Sequence, residues 1–492
     1  MKGDTAARNT GFALLTQLST ALFTAALVFF LGRALGPTAY GAFALAVGLS
    51  GLLVLPADFG ISQAAARFVA EHQDDPLTVA HVLARALRIK LMIAAAVATG
   101  LFVLAAPIAD LYGDPSLVWP MRGAALALFG QSIMQLGRVT FVALRRISTS
   151  LPLVFGESAI EFSASVALVL LGGGAAGATF GRAIGYLFGA VLAVVLIARM
   201  VGPAAVAIRG KHPAAPPTMM RDAGALLIID GAFAAFTQLD VLLIGGLLGT
   251  TAAGLYAVPL RLTTLFAYPG LAVGQGVAPR QSRRSDEPPD VRSFQRALRV
   301  LLLVQTGIAV FAVVWAEPII EITVGTDFDE SVAVLRALGP FILLSGFAPL
   351  LSLALTYLGE ARRRVPIALG AVALNVAIDL ALIPQIGILA GAVGTDISFL
   401  LYVGAHFWIC RRLLGISLRP LAVPAARAVL AAAVMALVLW AIRSGSESPA
   451  AFAAGLLAGP GAFVAVLVAL GELKRKEIAS VSQRLRRILQ RS

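Results

Sequence analysis

The sequence predicts an all-α polytopic membrane protein with about fourteen transmembrane helices: two parallel six-helix lobes plus two C-terminal helices. Three observations predict it. The chain carries too few charges for a water-soluble surface, apolar runs of span length recur along it, and it repeats itself at an offset of 213–214 residues.

Of the 492 residues, 59% are hydrophobic and 13% charged. Soluble domains carry roughly 25% charged residues, so most of this surface must face lipid. The net charge of +13 would suggest a nucleic-acid partner in a soluble protein. Here the basic residues fall between apolar runs, and no nucleic acid is expected. The single cysteine, Cys410, excludes an internal disulfide and a Cys-based metal cluster.

A helix needs about 20 apolar residues to cross ~30 Å of hydrocarbon. Such runs lie at 11–31, 41–61, 89–109, 119–140, 152–171, 177–198, 223–247, 253–276, 299–316, 331–358, 366–384, 390–410, 424–442 and 451–471. The first is too long for a signal-peptide core and reads as a retained helix. Alternate gaps hold 31 of the 39 Lys and Arg, among them Arg85, Arg88, Lys90, Arg145, Arg146, Arg362, Arg363 and Arg364. The opposite gaps carry Asp110, Asp114, Glu317, Asp327 and Asp329. The positive-inside rule then predicts a multi-pass protein of the cell inner membrane with both termini cytoplasmic. No loop is long enough for a folded soluble domain. The tail from Glu472 spaces Ile478, Val481, Leu485, Ile488 and Leu489 for one helical face, a basic amphipathic pattern that suits the cytoplasmic leaflet.

Leu31–Leu45 (LGRALGPTAYGAFAL) and Ile244–Val258 (IGGLLGTTAAGLYAV) share seven of fifteen positions, including Gly36/Gly249, Thr38/Thr251 and Gly41/Gly254. Nearly the same offset lays Gly173 over Gly387, Arg122 over Arg336 and Pro152 over Pro366. Six spans per copy is an even number, so the copies enter the membrane in the same direction. The predicted organisation is an N-terminal lobe at 1–210, a C-terminal lobe at 211–420, two additional helices at 421–471 and the tail at 472–492.

Charges inside spans are costly and usually face a cavity or a partner. The basic candidates are Arg261, near the middle of span eight, and Arg182 in span six. A fixed cation in a wet cavity suits a phosphate-bearing substrate. Arg138 and Arg427 sit near helix ends and are expected to snorkel. Asp230, Asp240, Asp379, Glu161 and Asn375 are candidates for coupling to an ion. Glu157 and Glu161 share a helix face, as do Asn375 and Asp379, and the repeat lays Asn375 over Glu161. For any single acid, helix-to-helix pairing is the competing structural role. No P-loop and no metal-ligand spacing of the four histidines is present. Asp327-Phe-Asp329 has a D-x-D form but sits in a short loop on the predicted outer side. No cofactor and no enzymatic activity are expected.

Three stretches resemble the polysaccharide and O-antigen flippases of the multidrug/oligosaccharidyl-lipid/polysaccharide exporter superfamily. They are Gly32–Gly41 with Asp58-Phe-Gly60 and Arg67; Asp240–Gly249 with Gly254-Leu-Tyr256 and Arg261; and Leu358-Gly-Glu360 with Asn375, Ile383-Pro384 and Gly387–Ala392. The resemblance implies a two-lobed fourteen-helix transporter that flips a polyprenyl pyrophosphate-linked oligosaccharide for polysaccharide or lipopolysaccharide biosynthesis. Its partners would be membrane lipids, a coupling proton or sodium ion, and glycosyltransferases or a polymerase of the same pathway. Related lipid II flippases carry more cavity arginines than this sequence offers, which weighs against lipid II as cargo. The alternatives are a cation-coupled multidrug antiporter on the same fold, or a non-transporting scaffold of a cell-envelope complex. A membrane glycosyltransferase would need a longer loop than any here.

Overall fold

The first helix, α1 (Ala6–Asp58), carries two predicted spans in one continuous element. Its 44-residue apolar stretch would extend roughly 66 Å at 1.5 Å per residue, two crossings of the hydrocarbon. The turn between them is a single residue, Gly36, at φ 67° and ψ 175°. Pro37 follows it, and a residue before proline is driven out of the helical region. The protein, described from a computed structural model, is defined for residues 6–207, 217–281, 289–445 and 449–473. The tail beyond Leu473 lies outside the described residues.

The chain continues through α2 (Ile61–Glu71), α3 (Pro76–Leu111), α4 (Val118–Ala143), α5 (Ser150–Leu168), α6 (Gly174–Val201), α7 (Pro217–Leu248), α8 (Thr250–Phe266) and α9 (Tyr268–Val277). It then forms α10 (Val291–Val314), α11 (Ala316–Val324), α12 (Glu330–Ala337), α13 (Gly339–Ser345), α14 (Phe347–Tyr357), α15 (Arg364–Ile386), α16 (Leu389–Leu414), α17 (Arg419–Gly445) and α18 (Pro449–Ala469). The described residues contain no strand. Ten apolar stretches are long enough to span. Two of them, 44 and 55 residues long, each hold two crossings. With α7 and the α8–α9 run, the total reaches the predicted fourteen. In the membrane-crossing window of α18 only 22% of residues are buried. Leu457 and Trp440 are largely exposed, as lipid-facing positions must be.

Two compact units make up the chain. The first comprises Met1–Leu265, Thr323–Ser331 and Ala361–Ser398, and the second Phe266–Ile322, Val332–Glu360 and Phe399–Ser492.

In the first unit, small residues set the helix spacing. Gly123, Gly130 and Gly137 of α4 press on Thr179, Tyr186 and Ala193 of α6, where a methyl group would clash. Without a hydrophobic drive between helices in lipid, such close approach supplies the van der Waals attraction. The repeat is visible in the backbone. Gly249 has φ 92° where Gly36 has 67°, and Gly387 (φ 65°) matches Gly174 (φ 53°). The last match corrects the sequence register by one residue, from Gly173 to Gly174. The two signature segments also meet each other. Thr38 Oγ1 lies 2.8 Å from Thr251 Oγ1, its own repeat mate. Gly41 packs on the Thr250 carbonyl, and Gly254 on the carbonyl of Pro37. Asp114, in the α3–α4 turn, accepts a 2.9 Å bond from Thr250 at the start of α8.

A buried ion pair also ties this unit. Lys90 of α3 has no exposed surface and donates to Asp58 and, at 2.6 Å, to Ser62 of α2. Sequence placed Lys90 in a cytoplasmic gap. α3 is 36 residues long, roughly 54 Å at 1.5 Å per residue, so it runs past the bilayer and leaves Lys90 within the packed helices.

In the second unit, α17 packs on α10 and α18. Trp315 stacks on Phe452, centroids 5.2 Å apart, and donates to the Leu439 carbonyl. Glu472, just past α18, accepts from Arg299 at 2.6 Å and from Arg427 at 2.8 Å. Arg427, expected to snorkel, thus finds a carboxylate partner just past the end of α18. A wholly apolar groove of about 380 Å³ runs beside Phe266, Val304, Phe311 and Phe463.

Candidate functional site

Five helices of the first unit build a cavity of about 170 Å³ lined by charged and aromatic side chains. α1 contributes Phe23, Tyr40 and Phe43, α4 Arg138, α5 Glu157 and Glu161, and α6 Arg182 and Tyr186, with Arg261 of α8 beside them. Glycines make the carboxylates possible here. Gly185 lies under Glu161, where any side chain on α6 would strike it, and a side chain at Gly189 would strike Met134 and crowd Glu157.

Three arginines thus line one cavity. Arg261 and Arg138 form no salt bridge or hydrogen bond through their guanidinium groups among the described residues. Arg182 differs: its Nη1 donates to Glu161 at 2.5 Å and its Nη2 to the Tyr186 hydroxyl at 3.0 Å. Its guanidinium also sits 4.8 Å from the Tyr186 ring centroid, a cation–π geometry. Glu157 accepts a 3.0 Å bond from Ser158. Sequence brought Arg261, Arg182 and Glu161 forward as candidates, and the fold collects all three in one place. It missed Tyr186, four residues after Arg182 and so on the same face. It also assigned Arg138 to the interface, because a helix end says nothing of what its face meets.

A second polar cluster lies deeper in the same unit. Asp240 of α7 is fully buried and accepts from Tyr256 of α8 at 2.7 Å and from Thr395 of α16 at 2.5 Å. Asn375 and Asp379 of α15 are also fully buried and face Asp240. Asp240 Oδ1, both Asp379 oxygens and both polar atoms of the Asn375 amide are buried without a hydrogen-bond partner. Buried polar atoms seldom remain so, because each forfeits its water without replacement. No group of three or more His, Cys, Asp or Glu forms a metal cluster among the described residues. The side chain of Asp230, another coupling candidate, lies outside the described residues.

The repeat relates the two clusters. Glu161 corresponds to Asn375, and Arg182 corresponds to Thr395. In the N-terminal copy an arginine neutralises the acid. In the C-terminal copy a threonine stands there, and the acids keep open oxygens.

Residues 6–272 match the family described as polysaccharide biosynthesis protein. The chain belongs to that family. Among solved structures, a lipid II flippase MurJ in an inward closed conformation aligns with TM-score 0.71 at 13% identity, over 92% of this chain and 97% of that one. An inward-facing multidrug resistance MATE family transporter of the MOP superfamily aligns with TM-score 0.65 at 14% identity, over 80% and 94%. The MATE multidrug transporter DinF-BH gives 0.61 at 13%, over 83% and 96%. No curated protein matches in sequence. At such identities the structures establish the fold alone: polytopic, all-helical and two-lobed, as the sequence resemblance implied.

Proposed function

We propose that this family member flips a lipid-linked oligosaccharide, carried on a polyprenyl pyrophosphate, from the cytoplasmic to the outer leaflet of the inner membrane. The observation that carries the reading is the Arg261 guanidinium, which faces the cavity with Arg138 and Arg182 and has no carboxylate bonded to it. Multiple guanidinium groups match phosphate oxygens in charge and geometry. The head enters this cavity, the lipid tail stays in hydrocarbon, and rocking of the six-helix lobes at 1–210 and 211–420 exposes the head on the far side. Both termini are cytoplasmic in this scheme, and glycosyltransferases and a polymerase of the same pathway supply and consume the cargo.

The Asp240–Asn375–Asp379–Thr395 cluster is the coupling element, taking a proton or a sodium ion. Five buried polar atoms lacking partners support that role, since a small cation or protons would satisfy them. The multidrug-antiporter reading draws on the MATE-like fold. Its cavity should attract cationic drugs, and three arginines facing two glutamates oppose that.

The test is export of surface polysaccharide by cells carrying Arg261→Ala at normal protein level. A large loss of export is expected, and unchanged export rejects the phosphate-binding role.

A further inference from the structure

We propose that Glu161 is an internal stand-in for substrate phosphate: it holds Arg182 in the empty carrier and is displaced by the arriving diphosphate. The proposal rests on the phosphate-binding reading of the cavity.

Arg182 is held on three sides. Glu161 meets one edge at 2.5 Å, the Tyr186 hydroxyl another at 3.0 Å, and the Tyr186 ring covers a face. A fifth of its side-chain surface stays open, so a ligand can reach it. Arg138 and Arg261 line the same cavity and bond to no carboxylate. A diphosphate bears more charge and more acceptor oxygens than a carboxylate. Anchored first on Arg138 and Arg261, it outcompetes Glu161 for the third guanidinium.

The groups facing Glu161 are few. Its own helix offers Glu157, one turn away. α6 offers Arg182 and Tyr186, α4 Arg138, α1 Tyr40 and α8 Arg261. Once the diphosphate engages the three arginines, Glu161 is left beside Glu157 with no cation of its own. No covalent bond changes in the exchange. Substrate release reverses it, and Glu161 recaptures Arg182. A cavity whose third cation is masked until a diphosphate arrives also discriminates against singly charged anions, which lack the charge to displace the carboxylate.

The test uses the purified full-length protein and farnesyl pyrophosphate, with titration calorimetry. Glu161→Gln is expected to bind about tenfold tighter, a difference of about 1.4 kcal/mol. Glu157→Gln is expected to tighten binding far less, because Glu157 makes no hydrogen bond to Arg182. Glu161→Asp, whose shorter carboxylate reaches Arg182 less well, is expected to tighten binding too and carries the test if Glu161→Gln does not survive purification. Arg261-dependent binding that is no tighter in the Glu161 variant overturns the stand-in role alone. Native protein that fails to bind the diphosphate, or binds it regardless of Arg261, overturns the phosphate reading with it.

Discussion

Replacing Lys90 with methionine tests how the first unit is held together. The methionine fills nearly the same volume, so packing is kept while the charge is lost. The Lys90 ammonium has no exposed surface and bonds to Asp58 and Ser62. Without it, the Asp58 carboxylate, only 15% exposed, keeps only the hydroxyl of Ser62. Breaking a buried pair by removing one partner costs about 3–5 kcal/mol. Because Asp58 retains some exposure and one hydrogen bond, the lower end, about 3 kcal/mol, applies. Removing both charges leaves nothing uncompensated, so Lys90→Met with Asp58→Asn should recover most of that loss, in keeping with neutral replacements of buried pairs elsewhere. Unfolding of the purified protein in detergent by a graded denaturant, followed by tryptophan fluorescence, reads both values. A single variant as stable as the native protein would refute the reasoning. So would a double variant weaker than the single one, since the stranded charge would then not be the cause.

Asp379→Asn is expected to abolish the ion dependence of transport while leaving diphosphate binding within a few-fold of native. Comparing uptake with and without sodium, at two pH values, checks this. Gly254→Val places a branched side chain against the Pro37 carbonyl, and such overpacking costs about 1–3 kcal/mol; a lowered unfolding midpoint is expected. Burial works against the charged form of Glu472, but the bonds from Arg427 and Arg299 outweigh it and hold the carboxyl below its ordinary value. The stabilisation is therefore present above the ordinary pKa of about 4.3 and lost as pH falls through the lowered folded value. The stability gap between native protein and Glu472→Gln should accordingly hold from about pH 7 to about 5 and narrow as pH falls below about 4.3, which melting curves from about pH 7 to about 2.5 would show.

The spans and the duplication were legible because both are written in composition and spacing. A run of apolar residues is a local property, and Gly36 and Gly249 occupy the same left-handed backbone position because the same break is needed twice. What faces what was less legible. Arg138 and Arg261 look alike in sequence, each an arginine within an apolar run. Only the packing of α4 and α8 with α1 puts both on one cavity. Lys90 looked like one of several basic residues in a gap. Its burial depends on Asp58, 32 positions earlier, and on a helix longer than the bilayer is thick. The repeat does carry one signal about the sites that sequence reading did not use. Laying Arg182 over Thr395 shows that one copy supplies its own cation and the other does not.

The central claim is that Arg261 receives the anionic head of a lipid carrier during flipping. The most direct measurement is leaflet-to-leaflet movement of a fluorescent polyprenyl pyrophosphate-linked sugar in proteoliposomes, with native protein beside Arg261→Ala and Arg261→Lys. The account predicts movement by the native protein, near-background rates for the alanine variant and partial recovery with lysine. Equal rates in native and alanine proteins would contradict it.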